Sequence, residues 1–303
     1  MVGAGLQPVI KAFGVPRLLR MWQRIGRQRP LTVIMYYSIS VEGGQWAIRP
    51  DRFAEQIRYL HENYPIIRLS DAPAYLAGAA AERCIAVTFD DAYTDCLESA
   101  LPVLQRNSIA FTVFAPTRFI GGSNEWDWMN GGAPKLAIMD AVQLRELLRS
   151  PLVEIGSHSV DHLSMRSLPR SELERQAVES KQTLERLLGC AVTAFAYPYG
   201  QLSDVSRETE DAVGRAGYRI AVTTRWGSMN QADRPLALRR IWFSDQDGLQ
   251  EMRAKIEGEF DWFAAKERIA FAARSLSGLG AALNPRQRER ATARVPGFRQ
   301  PPE

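Results

Sequence analysis

Short apolar runs rich in β-branched residues recur along the chain at Leu31–Tyr37, Ile85–Phe89, Ile109–Ala115, Leu152–Ile155, Val192–Tyr197, Tyr218–Thr223 and Leu236–Phe243. Runs of this length and composition predict strands. Between them, apolar positions take helical spacing over Asp51–Glu62, Thr94–Arg106, Asp140–Leu148, Ser171–Leu188, Asp204–Ala216 and Leu249–Ile256. Ser171 has Glu174 three positions on, which predicts a capping box, and Gly189 marks the end of the same helix. Regular alternation of strand and helix predicts an α/β fold with a parallel sheet covered by helices. Seven strands in this order predict a barrel or near-barrel rather than two domains. No internal repeat is present.

Two regions break the pattern. Arg118–Lys135 is rich in Gly and Asn and carries Trp126 and Trp128. Its length and aromatic content suit a substrate-facing loop, or a plain surface loop with tryptophans tucked beneath it. From Arg274 onward the chain is rich in Gly, Pro, Arg and Ala with little apolar periodicity, which predicts disorder. The expected organisation is a basic N-terminal segment over 1–30, one domain over 31–270 and a tail over 271–303.

Composition narrows the class. With 303 residues, 46% hydrophobic and 24% charged, the chain is an ordinary globular one, long enough for one large α/β domain. The net charge of +4 conceals an uneven distribution. Residues 1–30 hold Lys11, Arg17, Arg20, Arg24, Arg27 and Arg29 with no acid. Residues 271–303 hold six arginines against Glu289 and Glu303. Taking +6 and +4 from the total leaves the body at −6. Nucleic acid is not an expected partner, because the arginines sit at the termini without a nucleic-acid motif. Cys84, Cys96 and Cys190 are too scattered for a disulfide framework, and Cys84 and Cys190 are expected as buried thiols.

No run reaches the ~20 apolar residues of a membrane span. Basic residues also interrupt the N-terminal apolar stretch, so the default expectation is a cytoplasmic protein. Leu18, Leu19, Met21, Trp22 and Ile25 beside the arginines could form an amphipathic helix in peripheral contact with anionic lipid. A helix packed on the body with a solvated basic face is the competing expectation.

The chemistry gathers at three strand ends. Two of the three histidines lie four residues apart in His158-Ser159-Val160-Asp161-His162. If the chain turns helical after the strand, both rings share a face, and Asp161 could orient one of them. Asp90-Asp91 closes the run Ile85-Ala86-Val87-Thr88-Phe89, at the strand end where parallel α/β folds place ligand sites. Two imidazoles and one carboxylate suit a divalent metal, and the second carboxylate is left to act as a base. Tyr197-Pro198-Tyr199-Gly200 forms a sharp turn that could aim backbone N–H groups at an oxyanion. Trp126, Trp128, Trp226 and Trp242 are candidates for stacking on sugar rings, although most tryptophans are simply packed.

Thr88-Phe89-Asp90-Asp91, His158-Ser159-x-x-His162 and Tyr197-Pro198-Tyr199-Gly200, in this order, resemble the three motifs of the polysaccharide deacetylase family, the NodB-homology carbohydrate esterases. The similarity covers about residues 31–260. The resemblance implies a distorted (β/α)7 barrel. It implies Asp91, His158 and His162 as ligands of Zn2+, with Co2+ or Ni2+ as substitutes. It implies Asp90 as general base and the Tyr199 amide as oxyanion donor. The implied activity is metal-dependent removal of acetyl groups from N-acetylated sugars of a surface polysaccharide or lipid-linked glycan.

The chain also departs from the family pattern. The family supplies a histidine as general acid, whereas here only His61 remains, within a predicted helix. Tyr37 stands where related chains carry that imidazole, and a phenol with pKa ≈ 10 matches neutral proton transfer poorly. Ala92 replaces a glycine, and Tyr197 replaces an arginine that steadies the base. Arg240 could take over that task from the last strand, or it could be a surface residue. These departures keep two alternatives open. One is a weakly active or inactive carbohydrate-binding relative; the other is a cyclic amide or imide hydrolase.

Overall fold

Strand β1 (Leu31–Tyr36) is buried at every position, because one face looks into a barrel and the other carries helices. The computed structural model describes residues 31–41, 46–78, 82–128, 134–230 and 232–276. The basic segment 1–30 and the tail beyond 276 lie outside the described residues. After β1 come the short parallel pair β2 (Ser38–Ile39) and β3 (Ala47–Ile48), then helices α1 (Pro50–Asn63) and α2 (Ala72–Ala77). Next are β4 (Cys84–Phe89), α3 (Leu101–Arg106), β5 (Phe111–Ala115), α4 (Glu125–Trp128) and α5 (Ala141–Leu147). The second half runs β6 (Val153–Ser157), α6 (Arg170–Leu188), β7 (Ala194–Ala196), α7 (Arg207–Arg215), β8 (Ile220–Trp226), β9 (Leu238–Trp242), α8 (Leu249–Ile256) and α9 (Trp262–Leu276).

Among the described residues, β1, β4, β5, β6, β7, β8 and β9 form a closed barrel in that order. Neighbouring strands are parallel, and β9 returns to β1 with Val33 opposite Arg240. Closure leaves no sheet edge unpaired. Alternate residues separate two cores. Leu31, Val33, Ala86, Ala194, Ala196 and Val222 fill the narrow interior around Phe114, while Ile34, Tyr36, Val87 and Phe89 face the helices. Phe53, Ile57 and Leu60 of α1 supply the facing apolar stripe.

The expected seven strands are all present, and most boundaries shift by one to two residues. Several helical details differ from expectation. The proposed Ser171 capping box does not form: Pro169 takes the N-cap position without a side-chain bond, so Ser171 is already inside α6. Gly189 does close that helix at φ 70°. Over Thr94–Arg106, a π turn at Cys96–Ala100 precedes α3, whose start contains Pro102, a residue without an N–H to offer. Helix α7 starts at Arg207, three residues later than expected, with Ser206 as its cap; the Asp204 carboxylate is buried and accepts from Ser164 at 2.6 Å. Helix α9 runs through the expected domain end at 270 and on to Leu276. Cys190 is exposed, while Cys84 and Cys96 are buried. No described helix is long and apolar enough to cross a membrane.

Candidate active site

The two adjacent carboxylates are sent to different partners by the backbone. Asp90 N–H still donates to Tyr36 O (3.0 Å), continuing the strand ladder. The chain then takes left-handed conformations at Asp91 (φ 69°) and Ala92 (φ 54°). Asp90 consequently meets Arg240, and Asp91 meets the histidines.

Arg240 holds Asp90 with both ends of its fork. Nη1 donates to Oδ1 and Nη2 to Oδ2, each at 2.7 Å. Nε donates to Thr223 O at 2.8 Å, and Nη1 also reaches Thr88 Oγ1 at 3.2 Å. Both partners are shut off from solvent. Burial alone would raise the Asp90 carboxyl, but Arg240, with His158 and His162, outweighs it and keeps the pKa below the usual value. Asp90 is therefore an ionised carboxylate. Tyr197 is buried, with its hydroxyl on Leu236 O (3.0 Å), and Arg240 provides the guanidinium that the Tyr197 position lacks.

His158 follows β6 directly. Its Nδ1 lies 2.8 Å from Ala196 O, so that nitrogen is the donor and Nε2 keeps its lone pair. Burial, the largest influence, lowers its pKa and favours the neutral ring. Nε2 of His158 stands 3.4 Å from Asp91 Oδ1, and Nε2 of His162 stands 3.3 Å from the same oxygen. Burial, reinforced by Asp90 and opposed by His158, pushes Asp91 up to about 6. Its Oδ2 accepts from Tyr93 at 3.0 Å, whereas the buried Oδ1 accepts nothing among the described residues. Ligand atoms at ~2.0–2.1 Å from a tetrahedral ion stand roughly 3.3 Å apart. The spacing and the orphaned oxygen fit a divalent metal, and Asp91, His158 and His162 form a cluster whose ligand atoms lie within 4.8 Å of one another.

The histidine segment is not helical. Ser159 (φ 66°) and His162 (φ 51°) take left-handed conformations, and loop hydrogen bonds fix the segment. Val160 and Asp161 N–H groups donate to Gln176 Oε1 at 3.0 Å. Arg118 N–H donates to Val160 O at 3.1 Å. Asp161 does not orient either ring. Its carboxylate turns away to Arg118 (3.1 Å), Arg175 and Gln176 Nε2 (2.7 Å), and so ties the loop to α6.

The third element supplies the wall. Tyr199 (φ 59°) and Gly200 (φ 62°) turn left-handed in succession. A Cβ at Gly200 would lie 2.6 Å from Thr224 N, so only glycine fits. The Tyr199 ring meets His162 edge-on at 5.0 Å. Six non-glycine residues among those described have positive φ, and five (Asp91, Ala92, Ser159, His162, Tyr199) belong to this site. Such backbone strain concentrates where the surrounding structure enforces a functional geometry.

The family model for polysaccharide deacetylases matches residues 77–221, spanning all three motifs. Over that stretch the chain is similar to the polysaccharide deacetylase family. A Bacillus subtilis (strain 168) protein named as a polysaccharide deacetylase, YxkH, is 26% identical over 223 residues, covering 73% of this chain and 74% of that one. A poly-beta-1,6-N-acetyl-D-glucosamine N-deacetylase of Staphylococcus aureus (strain MRSA252) is 21% identical over 235 residues, covering 74% and 77%. Two solved structures share the fold at TM-score 0.65. They are Streptococcus pyogenes deacetylase PplD (21% identity, 76% of this chain and 99% of that one) and IcaB from Ammonifex degensii (24%, 76% and 98%).

Other expected site residues lie elsewhere. Tyr37 is half-buried just after β1, its ring against Trp46 at 5.3 Å. His61 is exposed on α1. Trp126 is buried and stacks on His162 at 4.1 Å, so this ring packs behind a ligand instead of offering an open face to a sugar. Trp226, expected as a sugar platform, offers no open face: it is buried among Trp242, Phe260 and Phe263. Its apolar ring seals α9 and its neighbours to the barrel. The Trp128 side chain lies outside the described residues. Tyr93 and Gln176 support the site, but no local signal distinguishes them in the sequence.

Proposed function

We propose that this chain is a metal-dependent deacetylase that removes acetyl groups from N-acetylated sugars of a surface polysaccharide or lipid-linked glycan. The observation that carries the reading is the buried Asp91, His158 and His162 cluster beside an Asp90 kept ionised by Arg240. The names of the relatives, a polysaccharide deacetylase and a poly-N-acetylglucosamine deacetylase, support the same substrate class.

Asp91, His158 and His162 would hold the ion, which on this donor set is Zn2+, with Co2+ or Ni2+ as substitutes. When bound, such an ion polarises an acyl carbonyl and lowers the pKa of water toward ~7. Asp90 accepts the proton of the attacking water, its two oxygens fixed by Arg240. His158, locked by Ala196 O, presents one nitrogen without choice of tautomer. The Tyr199 amide, on its left-handed turn beside His162, is the proposed donor to the oxyanion. In this reading residues 1–30 hold the enzyme at the cytoplasmic face of a membrane, near lipid-linked glycans.

Acetate release from β-1,6-linked N-acetylglucosamine oligomers tests the proposal, with cyclic imides in parallel. Wild type should release acetate, and Asp90→Asn should not, while both bind the same amount of metal. Metal-loaded wild type that binds the oligomers but releases no acetate would instead assign the chain to carbohydrate binding.

A further inference from the structure

Adjacent residues of β9 point to opposite sides of the barrel wall. Arg240 faces inward to Asp90. Arg239 faces outward into a cavity of about 600 Å³ on the flank of β8 and β9, lined also by Arg225, Arg234, Arg268 and Asn230. A Cβ at Gly227 would lie 2.6 Å from Arg239 Cδ, so glycine makes room for this side chain.

The guanidinium groups are only partly satisfied. Arg234 pairs with Glu210 at 2.6 Å. Arg225 donates Nη2 to Val205 O at 2.8 Å, but its buried Nε has no partner among the described residues. The guanidinium groups of Arg239 and Arg268 make no ion pair among the described residues. Burial foremost, then crowding by Arg268 and Arg234, lowers the Arg239 pKa despite Asp261. Four guanidinium groups around one cavity present forked donors suited to an anion. Two carboxylates also line it. Asp233 is exposed, and both oxygens of Asp261 are taken by Ser228, at 2.9 and 2.7 Å. Glu267 lies nearby and acts electrostatically on Arg239.

We propose that this cavity binds a phosphate monoester or diphosphate, presented either by a soluble molecule or by a lipid headgroup. Its volume exceeds that of bare phosphate and falls within the ~300–1,000 Å³ of small-molecule sites. Planar guanidinium forks match phosphoryl oxygens two at a time. The rim also adjoins the start of β1. Asn230 of the cavity wall donates to Leu31 O at 3.2 Å, and the sequence immediately before Leu31 carries Arg24, Arg27 and Arg29. The site is separate from the Asp91 cluster and does not rest on the deacetylase reading.

Calorimetric titration of the full-length, metal-loaded protein with pyrophosphate at low ionic strength tests the soluble arm. Co-sedimentation with phosphatidylglycerol/phosphatidylcholine vesicles tests the lipid arm. Saturable binding in either arm should weaken at least tenfold in Arg239→Gln/Arg268→Gln and persist in Asp91→Ala. Arg268→Gln alone, at an exposed position, should weaken binding without lowering the melting temperature, and Asp233→Asn should tighten it. Three outcomes would overturn the proposal: equal affinity in the arginine variants, loss of binding in Asp91→Ala, or no saturable binding in either arm. Vesicle binding undiminished in the double variant would likewise assign lipid contact to residues 1–30 and not to the cavity.

Discussion

Arg240 and Asp90, 150 residues apart in sequence, form a two-point ion pair inside the barrel with both bonds at 2.7 Å. The pair joins the last strand to the first catalytic motif, so ionisation of the base depends on a residue of the strand that closes the barrel. Removing one partner of a buried pair leaves the other charge stranded, which costs ~3–5 kcal/mol. Arg240→Met should lose that much stability in urea titrations and almost all acetate release. Arg240→Lys should keep more stability but lose well over tenfold in rate, because an ammonium cannot span both oxygens. Arg240→Met/Asp90→Asn should regain much of the stability and none of the activity. Stability of Arg240→Met within about 1 kcal/mol of wild type would sink the argument.

The metal assignment separates residues that are neighbours in sequence. Alanine at Asp91, His158 or His162 should abolish stoichiometric binding of zinc, read by elemental analysis of the purified protein. Asp161→Asn should bind zinc normally, since its carboxylate faces Arg118, Arg175 and Gln176. Its half-exposed ion pairs are worth ~1 kcal/mol at most in stability. Saturation with zinc at 1,000 times its dissociation constant should stabilise wild type by ~4 kcal/mol, and chelation should reverse the gain. Equal metal loss in Asp161→Asn and His162→Ala would show that the loop, not the ligand set, governs binding.

Much of this site is written locally in the sequence. Each barrel strand lies within or beside a short apolar run; Asp90, Asp91 and His158 directly follow such strands, and Tyr199 comes three residues after β7. What the sequence hid has a common physical character. Helix α9 was not among the expected helices, and its last turns fell in the expected tail, because its Ala-rich stretch resembles the unpatterned chain beyond it. The non-helical path of 158–162 depends on Gln176 from α6, a contact between separate elements. Trp226 looked like a sugar platform because a tryptophan near a strand end carries no mark of what covers it; here the cover is α9 with its neighbours Phe260 and Phe263.

Ala92 offers a test of stored strain. It holds φ 54° and is fully buried, at a position where the family pattern has glycine. Replacing it with glycine removes a left-handed penalty of roughly 1–2 kcal/mol. The same change adds ~0.5–1 kcal/mol of backbone entropy cost and gives up ~0.8 kcal/mol of buried methyl. Ala92→Gly should therefore melt within a few degrees of wild type and retain its metal. A large loss would mean that the Ala92 methyl, not the turn, positions Asp91.

Two buried tryptophans should respond differently to the same substitution. Trp126 stacks on the His162 ring at 4.1 Å with an interplanar angle of 18°, so its removal frees a metal ligand to rotate. Trp226 lies among Trp242, Phe260 and Phe263, remote from the ligands in its contacts. Truncating either to alanine opens a cavity and should cost ~3–5 kcal/mol of stability. Only Trp126→Ala should also weaken zinc affinity, by ~10–100-fold, as loss of a ligand's supporting neighbour does. For Trp126→Phe the packing largely survives, and the shift in zinc affinity should shrink with it. Trp226→Phe should keep both zinc affinity and the KM for acetylated oligomers unchanged. A raised KM in Trp226→Phe, with stability intact, would return this residue to the substrate surface and require α9 to move aside during binding.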